Sequence, residues 1–435
     1  MSSSEKSQDQ GQNPKPRRMS RRRRILLGIA IALPISILGL WIAIHRVVWL
    51  GPLLADTARS VVGPGPVAWL ENVAYDLDDR VQKIRRGDQK PEAYWDVPST
   101  QLSAQPSSQP SGAPKPPEAP SGSPSAAPAP PTAPIAGRFR PNDVGPVLKE
   151  FSAPGDGVWV AIEDHRAAGD PPVLYKTLLH PDGNRSWATV AVVAADLQRV
   201  KLHLVAGTRE PEAVEKGSES LVRTGLVASE HMRDLLAAFN GGFKTVHGRY
   251  GMRVGGVTLI PPRKDACTVA ETTDGKIVIR SWKVLADDPG KLLWWRQAPG
   301  CFIELGKKHA GLAVEDNTYW GAKIGGDTVI RRSAIGISED GLTLYVGIGD
   351  FTTAPAIARA MSHAGAHNVA ELDVNWSFPK FLVYEARPGT GELIATPLSK
   401  GFEFTEDDYI RETSPRDFFY LTRAQPGSLP AVPSL

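Results

Sequence analysis

The chain has 435 residues, 41% of them hydrophobic, 41 glycines, 38 prolines, two cysteines and a formal net charge of +3. That is long enough for two or three domains and apolar enough for a globular core. The first 24 residues hold eight basic and two acidic side chains, a local +6 that leaves the remainder at −3. A body without basic excess argues against nucleic acid as a partner.

After this basic tail, Ile25 to Ile44 carries no charge. It supplies roughly the 20 apolar residues that cross a bilayer, so the reading is a transmembrane anchor. No small-residue cleavage site follows it, which favours an uncleaved anchor over a signal peptide. Arg22-Arg23-Arg24 ahead of the span puts the N-terminus in the cytoplasm and everything after His45 outside, in the periplasm or its equivalent. A twin-arginine signal at the same place would leave that topology unchanged. No cysteine lies near the span, which excludes a lipoprotein anchor.

Between residues 45 and 97, Pro66 to Ile84 places Trp69, Val73, Leu77, Val81 and Ile84 at helical spacing with acidic residues opposite. An amphipathic helix follows, lying on the membrane or the next domain, or binding a partner. Residues 98–136 are Ser, Pro, Ala and Gln with almost no charge. Such a composition cannot bury a core and reads as a disordered spacer.

From residue 137 to 435, short apolar runs dominate, and Asp274-Gly275 and Asp340-Gly341 sit between pairs of them as hairpin signals. Helices are expected over Ser229 to Phe239 and over Thr353 to His363, the second with Thr353 as cap, Pro355 in the first turn and Gly365 past its end. The fold class expected is therefore α+β: a mixed, largely antiparallel sheet with a few helices, preceded by one transmembrane helix and a Pro-rich linker.

Two stretches concentrate residues that a fold alone does not require. In Leu236 to Gly256, Asn240 is followed by glycines interleaved with Lys244, His247, Arg249 and Arg253. Glycine marks positive φ or close approach, so this is a shaped loop with anion- or sugar-binding side chains, or a tight turn with solvated charges. In Val369 to Ser377, strand alternation puts Glu371, Asp373 and Asn375 on one face. Residues two apart lie about 6.5 to 7 Å apart along a strand, a separation suited to a glycoside-cleaving carboxylate pair. Repulsion between them would raise one pKa, as a general acid needs. The competing reading is a sheet with a solvated face. Arg331 and Arg332 enter another strand and offer donor forks for phosphate or carboxylate, or rim salt bridges.

The order of the motifs resembles the phosphodiester glycosidase domain family, to which the lysosomal uncovering enzyme belongs, with this chain as a divergent, bacterial-type member. Phe239-Asn-Gly-Gly-Phe243 comes first, then Gln297-Ala-Pro-Gly300 with Glu304-Leu-Gly306, Arg332-Ser-Ala-Ile-Gly336 with Asp340-Gly341, Ala364-Gly-Ala366, Leu372-Asp373 and Ser377. The resemblance spans roughly residues 225 to 390 and implies hydrolysis of a sugar-linked phosphodiester or related anionic envelope glycan, with Asn240, Arg332, Asp373 and Ser377 lining the pocket. Two departures stand out: Lys244 replaces a Phe, and Val374-Asn375-Trp376 replaces the glycines after the Asp. They imply a different substrate or lost catalysis, the latter leaving a glycan-binding or scaffolding module. The roles expected are Glu371 and Asp373 as the catalytic pair, with Asn240, Gly241, Gly242, Lys244, His247, Arg332, Asn375 and Ser377 binding substrate.

No cofactor is expected. Zinc lacks its usual ligand spacing, while a hard cation at Asp350, Glu371 or Asp373 stays open. Cys267 and Cys301 form one disulfide in an oxidising compartment or remain two buried thiols.

Overall fold

The computed structural model describes residues 63–87, 89–97, 139–167, 169–314, 317–320, 328–375 and 377–424, with isolated positions between 22 and 62. It divides into two compact units, Met1–Val67 and Ala68–Leu435. The linker of residues 98–136, Trp376 and most of Ile25 to Ile44 lie outside the described residues.

The second unit is built from β1 (Val160–Ile162), β2 (Leu174–Leu179), β3 (Thr189–Asp196), β4 (Val200–Val205), β5 (Leu235–Asn240) and β6 (Met252–Val254). It continues with β7 (Val257–Ile260), β8 (Cys267–Thr272), β9 (Ile277–Ser281), β10 (Leu292–Ala298), β11 (Ile303–Glu304) and β12 (Lys307–Lys308). The last six are β13 (Ile330–Ile337), β14 (Thr343–Thr352), β15 (Asn368–Val374), β16 (Phe381–Ala386), β17 (Leu393–Pro397) and β18 (Phe418–Arg423). Two helices exceed a single turn among these residues, α1 (Pro64–Arg86) and α2 (Ala354–His363).

The strands form three sheets: β1-β2-β3-β14-β13-β15-β11-β12, β7-β6-β10-β8-β9, and β17-β16-β5-β18-β4. The ladders of β13 with β14 and β15, of β14 with β3, and of β5 with β16 and β18 are all antiparallel. The mixed α+β expectation is thus corrected to a mostly antiparallel β fold with few helices. The transmembrane helix that headed that expectation is not found: among the described residues, which leave out most of Ile25 to Ile44, no helix is long and apolar enough to cross a membrane.

The helix expected over Ser229 to Phe239 is absent for a physical reason. Ser229–His231 forms only a 3-10 turn, and Leu235-Leu-Ala-Ala-Phe-Asn240 is strand β5, buried at every position. A continuous apolar run sandwiched between β16 and β18 has no alternation to display, so its pattern does not tell strand from buried helix. Where local chemistry was decisive, the elements match it. Asp274-Gly275 and Asp340-Gly341 turn β8 into β9 and β13 into β14, with Gly275 at φ 80° and Gly341 at φ 74°. Thr353 accepts a hydrogen bond from the Ala356 N–H at 3.3 Å, capping α2.

The main core lies where the three sheets meet, with Ile335, Val346 and Leu372 from the first, Met252, Val269 and Ile279 from the second, and Leu202, Phe239 and Phe419 from the third. The first sheet is also covered on its other face, where Val190, Ala334 and Val369 pack under Ile357 and Met361 of α2. Every residue of β3 and of β13 is consequently buried. Any charged side chain on those central strands has to be neutralised inside the protein.

Candidate active site at the seam of three sheets

Strand β15 alternates as expected, but from Asn368 to Asp373 neither of its faces meets water. Ala370 and Leu372 enter the central core, while Glu371 and Asp373 point the other way and are 0% and 1% exposed. The reading of a sheet with a solvated face is therefore corrected. β13 lies beside β15, and a register shift between Arg332 and Ala334 carries Arg332 level with the acids. Its Nη1 donates to Glu371 Oε1 at 2.7 Å, and its Nη2 donates to the Thr328 carbonyl at 3.0 Å.

Asp373 is served from the third sheet. Arg416, two residues before β18, places Nη1 2.7 Å from Asp373 Oδ2 and Nη2 3.3 Å from the Gly242 carbonyl. Its guanidinium also lies over the Phe378 ring at 4.1 Å. The Asp373 N–H donates to the Gly241 carbonyl at 3.0 Å, tying the end of β15 to the end of β5.

The second sheet supplies Arg296. From β10 it donates Nε to Asp417 Oδ2 at 2.8 Å and Nη2 to the Phe243 carbonyl at 2.6 Å, and both charges are 1% exposed. Asp417 in turn accepts the Gly242 N–H at 2.8 Å. This explains the two glycines physically: a Cβ on Gly241 would sit 2.2 Å from Asp417 Oδ2, and one on Gly242 2.8 Å from the Arg296 guanidinium. They are small so that an internal ion pair can press against the loop.

The remaining sequence candidates distribute as follows. Asn240 is fully buried; its Nδ2 donates to Ser333 Oγ at 2.8 Å and its Oδ1 accepts the Lys380 N–H at 3.2 Å. Ser333 Oγ donates to the Asp373 carbonyl at 3.1 Å, so Asn240, Ser333 and Asp373 form one chain of bonds. Asn375 Oδ1 accepts both the N–H and the hydroxyl of Ser377, at 3.0 and 3.1 Å, a local turn. Lys244 is half-buried, and its charge acts on Asp373. His247 closes the 3-10 turn Thr245–His247 and is also half-buried. Arg331, next to Arg332, pairs instead with Glu403 and lies 3.6 Å from Asp350. The structure thus gathers Asn240, Gly241, Gly242 and Asp373 into one bonded cluster, with the Arg332–Glu371 pair beside it on the same two strands and Lys244 acting on Asp373 by charge.

Burial dominates the electrostatics. Loss of water pushes the Glu371 carboxyl up to about 7; Arg332 opposes this and the Asp373 charge adds to it. Asp373 is raised too, by burial first, against the pull of Arg416. Glu371 Oε2 has no hydrogen-bond partner among the described residues. Asp373 Oδ2 meets Arg416 Nη1 at 2.7 Å as an ion pair.

No family model matches this chain, and no curated protein matches it. Among solved structures, the catalytic domain of zebrafish N-acetylglucosamine-1-phosphodiester alpha-N-acetylglucosaminidase, auto-inhibited by its pro-peptide, superposes with a TM-score of 0.39 and 14% identity. The match covers 61% of this chain and 88% of that one. A hypothetical protein from Synechocystis gives a TM-score of 0.35 and 10% identity over 59% of this chain and 65% of that one. These likenesses are weak.

Sequence reasoning missed Arg296, Arg416 and Asp417. A signal was present: Arg296 interrupts Leu292-Leu-Trp-Trp, and Arg416-Asp417 runs directly into Phe418-Phe-Tyr420. A charge embedded in an apolar strand calls for a buried partner. Among the described residues no group of three or more His, Cys, Asp or Glu side chains is arranged to hold a metal. Cys267 and Cys301 are joined in a disulfide, with Cα atoms 4.7 Å apart.

Proposed function

We propose that this chain is a hydrolase that cleaves a glycosidic bond beside an anionic group, a sugar phosphodiester being the substrate class, with Glu371 as proton donor. The observation that carries the proposal is the state of Glu371, a fully buried carboxyl held up to about 7 and bonded through only one of its oxygens. A group near half-protonation at neutral pH is tuned to donate a proton to a leaving oxygen.

Asp373, two residues along the same face, is the base or nucleophile, and Arg416 supplies the counter-charge that favours its ionised form. Arg332 is the anion-binding group. Its planar fork exchanges the Glu371 carboxylate for a substrate phosphate, which frees the carboxyl as the substrate arrives. Lys244, whose charge already acts on Asp373, adds to the same positive field. Asn240 holds Ser333 and hence the Asp373 backbone in place, so its role is positioning. The disulfide supports an oxidising compartment as the working environment.

A second reading, a glycan-binding or scaffolding module without turnover, is favoured by one observation: Arg332 with Glu371 and Arg416 with Asp373 already form two ion pairs inside the fold. Hydrolysis of a sugar-1-phosphodiester by the full chain, compared with Glu371→Gln and Asp373→Asn, separates the two. Turnover that falls by about 100-fold or more in each variant supports the enzyme; binding without turnover, unchanged in the variants, leaves only the module.

A further inference from the structure

Helix α1 is turned outward relative to its chemistry. Asp79, on its polar side, is 7% exposed and accepts two hydrogen bonds from Arg185, at 2.7 and 2.8 Å, with Asp182 on the same guanidinium at 3.0 Å. The polar face therefore docks on the β domain. The apolar stripe faces away from it: Trp69 is 59% exposed, Leu70 61%, Val73 46%, Leu77 61%, Val81 49% and Ile84 87%. At 100° per residue these six side chains fall within about 120° of the helix surface, a continuous seam.

We propose that this seam is covered by α1 of a second copy of the chain, packed antiparallel about a two-fold axis at Leu77. Two features of the helix select that occupant. The first is spacing, because Leu70 and Ile84 lie seven residues either side of Leu77, and Val73 and Val81 four residues either side. An antiparallel partner centred on Leu77 sets Leu70 against Ile84, Val73 against Val81 and Leu77 against itself, an isologous contact that closes. The second is charge. Every acid of the helix, Glu71, Asp76, Asp78 and Asp79, precedes every base, Arg80, Lys83, Arg85 and Arg86. Antiparallel packing lays the acidic half of each copy along the basic half of the other and brings Asp76, which pairs with Arg80 of its own helix at 2.7 Å, near Arg80 of the other copy as well. Parallel packing would set acids against acids. Four acids against four bases leave the helix without the net positive charge that draws an amphipathic helix to an anionic bilayer surface. At the stated exposures the six side chains offer on the order of 600 Å² per copy, the lower end of specific interfaces. The association is accordingly concentration-dependent.

Cysteine cross-linking of the full chain tests the geometry, with Leu77→Cys, Leu70→Cys and the double variant Leu70→Cys with Ile84→Cys. The expected result is a covalent dimer from Leu77→Cys, none from Leu70→Cys alone, and a dimer again from the double variant. Sedimentation over a hundred-fold concentration range adds the second readout: the wild type associates and Leu77→Arg, an exposed position whose change leaves the fold intact, stays monomeric. Cross-linking of Leu70→Cys alone would overturn the antiparallel seam. A monomeric wild type without cross-links would overturn the interface, as would a wild type that binds phosphatidylglycerol vesicles through the stripe and shows no Leu77→Cys dimer.

Discussion

The seam of the three sheets and helix α1 break the same rule in opposite senses. At the seam, Arg296, Arg332, Glu371, Asp373 and Asp417 are at most 2% exposed, where apolar side chains are the norm. On α1, six large apolar side chains are at least 46% exposed while Asp79 is buried. In each place the compensation is local: paired charges and backbone carbonyls at the seam, a second apolar surface for the helix. Burial of charge and exposure of apolar surface both mark where a protein does something besides fold.

The widest gap between the two regions is expected in stability. Arg296→Ala leaves Asp417 buried without its counter-charge and should cost about 3 to 5 kcal/mol by denaturant unfolding, whereas the paired change Arg296→Met with Asp417→Leu should cost much less. The disulfide gives an independent scale. Its 34-residue separation predicts a loss of about 3 to 4 kcal/mol for Cys267→Ser with Cys301→Ser, with no change in how stability depends on pH.

That pH dependence belongs to the seam. Glu371 is raised from 4.5 to about 7, so the folded state holds its proton more tightly than the unfolded one. Its stabilising contribution is complete below about 4.5 and is lost as pH climbs through about 7, by roughly 3 kcal/mol in all. Titrating unfolding free energy over this window in wild type and Glu371→Gln checks the sign, and the variant should flatten the slope. The smallest effect is expected on the helix. Leu77→Gln should shift monomer stability by no more than about 0.5 kcal/mol because the side chain is already exposed, whereas Leu372→Ala in the core should cost about 2 to 5.

What was legible in the sequence follows the range of the physics involved. Asp274-Gly275 and the Thr353 cap act within a few residues, and their hairpin and helix can be read directly. The alternation of Glu371 and Asp373 fixed their shared face, but not that the face is closed, because that depends on α2 and on segments up to Arg416. The amphipathic spacing of Trp69 to Ile84 identified a helix, yet its orientation was set by one distant arginine, Arg185. β5 carried no usable period, since neighbours on both sides bury all of it.

The central claim is that Glu371 is the proton donor of a glycosidic cleavage, and its most direct test is the pH profile of sugar-1-phosphodiester hydrolysis by the wild type and Glu371→Gln. The account predicts wild-type turnover that declines as pH rises past about 7 and a variant slowed by about 100-fold or more that has lost that limb. Turnover by Glu371→Gln at the wild-type rate with the same profile, or no hydrolysis by the wild type at any pH, would contradict it.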